Sequence, residues 1–387
     1  MLVRRLTLDN FRNYRRLELD PPAGLLLFLG ENAQGKTNLL EAVHLLSTVR
    51  SPRTTSDGDL INWNAESPAV ARIVAEAERL AGPVRVEMAV RGFVSTEPIA
   101  SRAGKRLRVN GAPRRAAQVV GQISSVFFTP QDLDLIGGPP ALRRRYLDIA
   151  LSQVDSRYLS SLQEYARVML QRNALLRRLR DGLARPDELS FWEARMAETG
   201  AHIARARAES TRSLATLAAE AHVALSGERE ELRLVYEPRL GRDWTAADLL
   251  GKDEGELAAA FLETLSRSRP QDVAAGASLW GPHRDDLLFL LDGRPAAAFA
   301  SRAQRRTAAL ALRLAEARFL HASTGDRPVL LLDDVLSEMD ETRRRGVLDA
   351  LAGFDQVWIT SAEEEYALEA LPDARVFTVK AGEVSPG

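Results

Sequence analysis

The 387-residue sequence contains no cysteine. That absence excludes disulfide frameworks, thiolate zinc sites, iron–sulfur clusters and cysteine nucleophiles together, and it suits a reducing compartment. Five histidines leave little material for a histidine-based metal site. Long apolar runs are also missing: Leu25–Leu29 and Val329–Leu332 are among the longest, far below the roughly 20 residues that cross a bilayer. The opening stretch MLVRRLTLDNFRNY lacks the apolar centre of a secretory signal. A cytoplasmic protein with no membrane partner is therefore expected. Neither sign of charge is in excess, with Lys+Arg 52 against Asp+Glu 53, so any affinity for a polyanion must come from local clustering.

The pattern that is present alternates strand and helix at both ends and turns helical in the middle. Residues 1–30 read as two strands, the second being the buried run LLLFLG, and from Thr37 the sequence NLLEAVHLLS has helical spacing. Residues 69–128 return to strand-like alternation, with Asn110-Gly111 as a hairpin turn signal. Between 141 and 226 apolar residues step by three, four or seven, apart from a break at Asp181–Pro186, which predicts two long helices folded back on each other with Asp187 as a cap for the second. After Leu287 strands and helices alternate again, through LLFLL, RTAALALRLAEARFL, PVLLLDD, a helix near 341–352 and QVWIT. The expected organisation is an α/β head of residues 1–128 plus 275–387, which includes an antiparallel β lobe, interrupted by a helical arm of residues 129–274.

Gly30-Glu31-Asn32-Ala33-Gln34-Gly35-Lys36-Thr37 matches GxxxxGK[ST] and sits between a predicted strand and a predicted helix, the context this phosphate-binding loop requires. Its glycines let successive N–H groups turn toward a phosphate, the helix N-terminus adds partial positive charge, Lys36 neutralises the β and γ phosphates, and Thr37 offers a hydroxyl to Mg²⁺. Val329–Leu332 followed by Asp333 and Asp334 fits the second strand of such a site, Asp333 holding Mg²⁺ and Asp334 orienting or deprotonating water. Alone, two acids at a strand end read equally well as a solvated helix cap. With the loop they indicate a nucleotide site. Ser301 stands at an N-cap position ahead of a helix, in the order Ser301-Arg302-Ala303-Gln304. An ordinary capped helix explains it, as does a helix end that closes over a phosphate held by a second chain.

Arg102, Lys105, Arg106, Arg108, Arg114 and Arg115 fall in one predicted hairpin without an acid. Such a ribbon can track a nucleic-acid backbone, and it can equally be a soluble charged hairpin. No aromatic series accompanies it, which favours duplex or junction backbone over single-strand stacking. Arg143–Arg145 and the face Arg172, Arg177, Arg178 and Arg180 are further basic stretches that read as solvated helix faces.

The whole chain resembles the RecF family of bacterial DNA-repair ATPases, relatives of Rad50 and SMC heads. The residues that carry the resemblance are the motifs above together with FRNY at Phe11–Tyr14, VNG at Val109–Gly111, PQDLDLIGGPPALRRRYLD at Pro130–Asp148, GPHRDDL at Gly281–Leu287 and LLLDDVLSEMD at Leu330–Asp340. The resemblance implies an ABC-type P-loop ATPase head and the cofactors ATP and Mg²⁺. It implies a weak DNA-stimulated ATPase whose ATP-bound homodimer clamps duplex or gapped DNA, releases it on slow hydrolysis and assists RecA loading with RecO and RecR in recombinational gap repair. An ATP-regulated structural DNA-binding module with negligible turnover is the alternative. By the same resemblance Lys36, Asp334 and, from the second chain, Ser301 serve hydrolysis; Arg12 and Gln131 join the nucleotide site; and Ser301, Arg302, Ala303, Gln304 and Asp340 form the dimer interface. Ala303 replaces the glycine usual in the family's Ser-x-Gly-Gln turn, a change that is costly only if the backbone there is left-handed. GPHRDD has no chemical role readable from its spacing.

Overall fold

A computed structural model of the chain describes residues 1–66, 68–92, 104–227, 230–337 and 341–387. The chain divides into two compact units, Met1–Asp132 with Ala221–Arg229 and Ala309–Gly387, and Leu133–Glu220 with Glu230–Ala308. Residues 275–308, expected in the head, group with the helical unit. The cause is strand pairing: Asp286–Leu291 runs antiparallel to Leu232–Glu237 along its whole length.

The first unit contains two six-stranded sheets among the described residues. One has the order Glu383–Pro386, Arg375–Lys380, Gly24–Leu29, Gln356–Ser361, Val329–Asp333, Ser125–Phe128, and is parallel except at its Glu383–Pro386 edge. Every residue of Val329–Asp333 and of Gln356–Ser361 is buried, as strands covered on both faces must be; hence the unbroken apolar runs. The other sheet, Tyr14–Leu19, Leu2–Phe11, Ala69–Glu78, Val84–Gly92, Gly104–Val109, Ala112–Pro113, is antiparallel. Its strands alternate buried and exposed positions, as in Val84–Gly92, because one face meets the core and the other meets water.

Helix Lys36–Thr48 shares one core with both sheets, its Leu39, Leu40, Val43 and Leu46 packing with Leu8, Phe11 and Met88 and with Leu26, Phe28 and Trp358. Phe28 lies 5.2 Å, centroid to centroid, from both Trp358 and Phe377. In the parallel sheet Leu29 is level with Ser361, and Thr360 with Asp333. Three strands therefore end on one edge, and the segments that follow them meet there.

The second unit is built on helices Pro140–Val154, Ser156–Arg180, Leu189–Ser226 and Glu254–Ala275 with a short sheet of Arg294–Pro295, Asp286–Leu291 and Leu232–Glu237. Helices Ser156–Arg180 and Leu189–Ser226 are tied by Arg195 to Glu164 and by Arg172 to Glu193. The helical stretch breaks at Asp155, whose carboxylate accepts the N–H groups of Arg157 at 2.8 Å and Tyr158 at 3.0 Å and so starts a new helix. Asp187 does not cap the second long helix. It pairs with Arg185 in a short turn, Pro186–Glu188, and the helix begins at Leu189.

The basic face of the arm is not uniformly solvated. Arg172 is wholly buried between Glu193 at 3.0 Å and Asp272 at 2.8 Å, and Arg143 is buried against Asp286 with bonds of 2.7 and 2.9 Å. Burying a guanidinium requires paired carboxylates, and here they come from distant segments. GPHRDD supplies several such partners. Asp285, fully buried, accepts Arg207 Nη1 at 2.9 Å, Arg239 N–H at 2.7 Å and the Tyr236 hydroxyl. His283 Nε2 bonds the Ser278 carbonyl at 3.0 Å and its Nδ1 meets the Tyr165 hydroxyl at 2.7 Å. A carbonyl only accepts, so the proton is on Nε2, and burial pushes this imidazole down to about 4. The motif is a buried hydrogen-bonded joint of the second unit.

Candidate nucleotide site

The loop Gly30–Gly35 follows the buried strand Gly24–Leu29 and opens helix Lys36–Thr48. Gly35 has φ 119° and Gly30 φ 156°. A Cβ on Gly30 would come within 2.2 Å of the Val379 carbonyl oxygen, and one on Gly35 within 2.5 Å of Asn13, so the glycines are required by close approach as well as by φ. Phe11–Tyr14 explains itself here. Phe11 is buried, Asn13 Nδ2 donates to the Gln34 carbonyl at 2.8 Å, and the Tyr14 hydroxyl donates to the Gly35 carbonyl at 3.0 Å. The loop is thus gripped through its carbonyls by the turn between the first two strands. From its other side, Gln34 Oε1 accepts Ala381 N–H at 2.6 Å.

Lys36 Nζ donates to the carbonyls of Gly30 and of Glu31, the latter at 2.7 Å. Burial lowers its pKa, opposed by the charges of Asp333 and Asp334. Thr37 Oγ1 donates to both oxygens of Asp333, at 2.8 and 3.0 Å. Burial likewise raises the Asp333 pKa, against the pull of hydroxyl donors from Thr360 and Thr37. Asp334 adopts φ 51°, a left-handed conformation unusual for a residue other than glycine. Its N–H is held by the Thr360 carbonyl at 3.2 Å and Thr360 Oγ1 at 3.1 Å, and its Oδ2 accepts from Ser337 at 2.9 Å.

These residues surround a cavity of about 800 Å³, lined by Arg12, Asn32, Ala33, Gly35, Lys36, Thr37, Asp333 and Asp334 among others. Arg12 is fixed there by Glu41 at 2.8 and 3.1 Å and by the Asp59 carbonyl at 2.9 Å. Gly30, Glu31 and Gln34 belong to the loop but are absent from that lining. Gln131 is exposed on the turn Pro130–Asp132 and is absent from the lining. The donor set facing Asp333 is all oxygen, and the described residues hold no cluster of three or more His, Cys, Asp or Glu. One carboxylate and one hydroxyl suit Mg²⁺, which completes its shell with phosphate oxygens and water rather than with a protein cage.

Several lining residues carry no motif in the sequence. Thr360 Oγ1 donates to Asp333 Oδ1 at 2.7 Å; Arg53 bonds Asn38 at 2.7 Å; Trp63 stands at the rim. Only the level end of the neighbouring strand could have announced Thr360. Nothing local marks the other two.

Ser301–Gln304 belong to the second unit. Gln304 N–H donates to Ser301 Oγ at 3.2 Å and Ser301 N–H to Gln304 Oε1 at 2.8 Å, a reciprocal cap on helix Arg302–Thr324. Ala303 lies inside that helix and is not among the residues with positive φ, so alanine carries no left-handed penalty there. Asp340 and Arg102 lie outside the described residues. Arg106, Arg108, Arg114 and Arg115 are exposed on the edge of the antiparallel sheet and the turn beyond it, whereas Lys105 pairs with Asp57 at 2.6 Å. The Asn110-Gly111 turn has both φ positive, 50° and 80°.

A model of the RecF/RecN/SMC N terminal domain matches residues 2–385. The chain is 41% identical over 399 residues to the DNA replication and repair protein RecF of Roseiflexus castenholzii, and 40% identical over 400 residues to that of Chloroflexus aurantiacus, each alignment covering 100% of both chains. A solved structure of the recombination mediator protein RecF-ATP in the RecFOR pathway superposes with TM-score 0.86 at 29% identity, covering 100% of this chain and 97% of that one. The Smc head domain of Pyrococcus furiosus, bound to the C-terminal domain of ScpA, shares the fold at TM-score 0.53 and 13% identity, covering 99% and 95%.

Proposed function

The chain belongs to the RecF family, with the ABC-type ATPase fold of RecF and SMC heads, and we propose that it is an ATP-binding DNA-repair protein that acts on DNA as an ATP-dependent pair. The observation that carries this reading is the convergence of Lys36, Thr37, Asp333 and Asp334 on one cavity from opposite ends of the sequence. The names of its relatives, DNA replication and repair proteins and a RecF bound to ATP, support it.

In this reading the loop N–H groups and Lys36 bind the triphosphate, and the loop carbonyls now satisfying Lys36 give way to phosphate oxygens. Thr37 and Asp333 would hold Mg²⁺, which supplies charge neutralisation at the phosphates. Asp334, aimed by its left-handed backbone, orients the attacking water and takes its proton. Ser301 and the N–H groups of the helix it caps, with Arg302 and Gln304, complete the site from a second copy, and Asp340 joins that interface.

Arg106, Arg108, Arg114 and Arg115 form the DNA-facing edge, binding duplex or gapped backbone without reading sequence. Slow hydrolysis, stimulated by DNA, releases the clamp, and RecO and RecR cooperate in placing RecA at gaps. The right-handed backbone at Ala303 favours this over a module with negligible turnover. Titration of ATP into the full chain tests the reading: Lys36→Ala should weaken ATP binding at least about tenfold, on the scale of a lost charge-assisted phosphate contact. Equal affinity in the two proteins would contradict it.

A further inference from the structure

The second unit holds a pocket of its own, of about 600 Å³, formed by the segment after strand Leu232–Glu237, by helix Glu254–Ala275 and by the turn that follows that helix. The nucleotide reading gives it no task. Two indoles line it, Trp244 and Trp280, and both are only half-buried, although an indole ordinarily gains from full burial. The framework that presents them is fixed. A Cβ on Gly241 would come within 2.8 Å of the Trp244 ring, so only glycine lets that indole lie so close to the backbone. On either side of Trp280, Leu279 N–H donates to the buried Asp272 at 3.1 Å and Gly281 N–H donates to the Arg239 carbonyl at 2.7 Å. The second of these bonds ties together the two segments that carry the indoles.

The exposed rim is cationic. Arg242, Lys252 and Arg267 stand on it, and among the described residues Arg242 and Lys252 make no salt bridge. Arg267 pairs with Glu263, a contact between exposed groups that is worth little in water. Of the two acids in the lining, Asp248 is taken up in a cap, its Oδ2 accepting the N–H and the hydroxyl of Thr245 at 2.9 and 2.6 Å. Asp243 is left facing three cations.

Indole surface beside cations suits a ligand that carries flat rings and phosphates, and an exposed rim lets a chain enter and leave. Duplex bases are stacked on one another, so only an unpaired base can offer its face. We propose that this pocket takes an unpaired nucleotide of a single DNA strand, with the base against Trp244 and Trp280 and the flanking phosphates on Arg242, Lys252 and Arg267. This rests on the reading of the chain as a protein that acts on DNA, and adds to the duplex-facing arginines a contact that only unpaired DNA can make. Every base has a flat face, so the contact is tolerant of sequence.

The test is fluorescence anisotropy of the full chain with labelled oligo(dT) of about ten nucleotides, an abasic oligomer of the same length and a blunt duplex, with unlabelled dTMP as competitor. Trp280→Ala should weaken oligo(dT) about tenfold and leave the abasic oligomer, the duplex and ATP binding unchanged, while Trp280→Phe should keep most of the affinity. Arg242→Ala with Lys252→Ala, both at exposed positions, should make the salt slope for oligo(dT) shallower by about 1.4, or about 0.7 for each phosphate released. Oligo(dT) binding unaltered in both variants, equal weakening of oligo(dT) and the abasic oligomer by Trp280→Ala, or dTMP held as tightly as the oligomer overturns the pocket's role while duplex binding leaves the DNA reading standing. A wild-type chain that binds neither duplex nor strand overturns that reading, and the pocket with it.

Discussion

Thr37 Oγ1 donates to both carboxylate oxygens of Asp333, at 2.8 and 3.0 Å, across 296 residues of sequence. The bond closes because the strands preceding the two residues are parallel and separated by one strand, so their C-terminal ends share an edge. That intervening strand contributes Thr360, whose hydroxyl donates to Asp333 and accepts Asp334 N–H. Thr360 consequently positions both acids.

Thr360→Val removes that hydroxyl at nearly constant volume. The expected outcome is a loss of about tenfold in the Mg²⁺ dependence of ATP binding, the scale typical of groups that orient a metal ligand. ATP titrations at graded Mg²⁺ read it. Thr360→Ser should recover most of the loss, which a purely packing role would not predict.

The exposed edge arginines are expected to act through charge alone. Replacing Arg106, Arg108, Arg114 and Arg115 together with Ala should weaken duplex binding and make the slope of log K against log salt shallower by about 3.6, or about 0.9 for each phosphate no longer neutralised. Lys105→Ala should change little, since its ammonium is committed to Asp57 and the Val49 carbonyl. Fluorescence anisotropy with gapped duplex across a salt series measures both.

Burial lowers the His283 pKa from 6.5 to about 4. Between those values the unfolded chain takes up a proton that the folded imidazole refuses, so the contribution of His283 to stability is complete above about pH 6.5 and is lost as pH falls toward about 4. The full loss is on the order of 3 kcal/mol. Calorimetric unfolding from pH 7 to 4.5 should show the melting temperature of His283→Gln falling less steeply than that of the wild type. Parallel curves would remove His283 as the titrating group.

Local pattern disclosed what local physics determines. The phosphate loop is legible because its glycines and Lys36 must be contiguous, and Val329–Leu332 because a strand buried on both faces is an unbroken apolar run up to the acid at its end. The break after Arg180 shows as a loss of helical spacing. Legibility ends where the partner is remote. Arg172 has the helical spacing of a surface cation, and only Glu193 and Asp272 bury it. GPHRDD reads as a turn, yet Asp285 is held by Arg207, Tyr236 and Arg239. Lys105 belongs to a basic hairpin in sequence and to an ion pair in space. Pro270, ordinarily a helix breaker, sits inside helix Glu254–Ala275. Trp63 is an ordinary aromatic until the cavity beside it is seen.

Whether a triphosphate joins two copies of this chain for work on DNA is decided by sedimentation velocity of Asp334→Asn with ATP, with ADP and without nucleotide, each with and without gapped duplex. A doubled protein mass is expected with ATP alone, retained on DNA, alongside turnover at least about 100-fold below wild type, and the doubled species should be lost when Ser301→Arg is added. A particle whose mass is the same in all nucleotide states, or an Asp334→Asn protein that hydrolyses ATP at the wild-type rate, would contradict it.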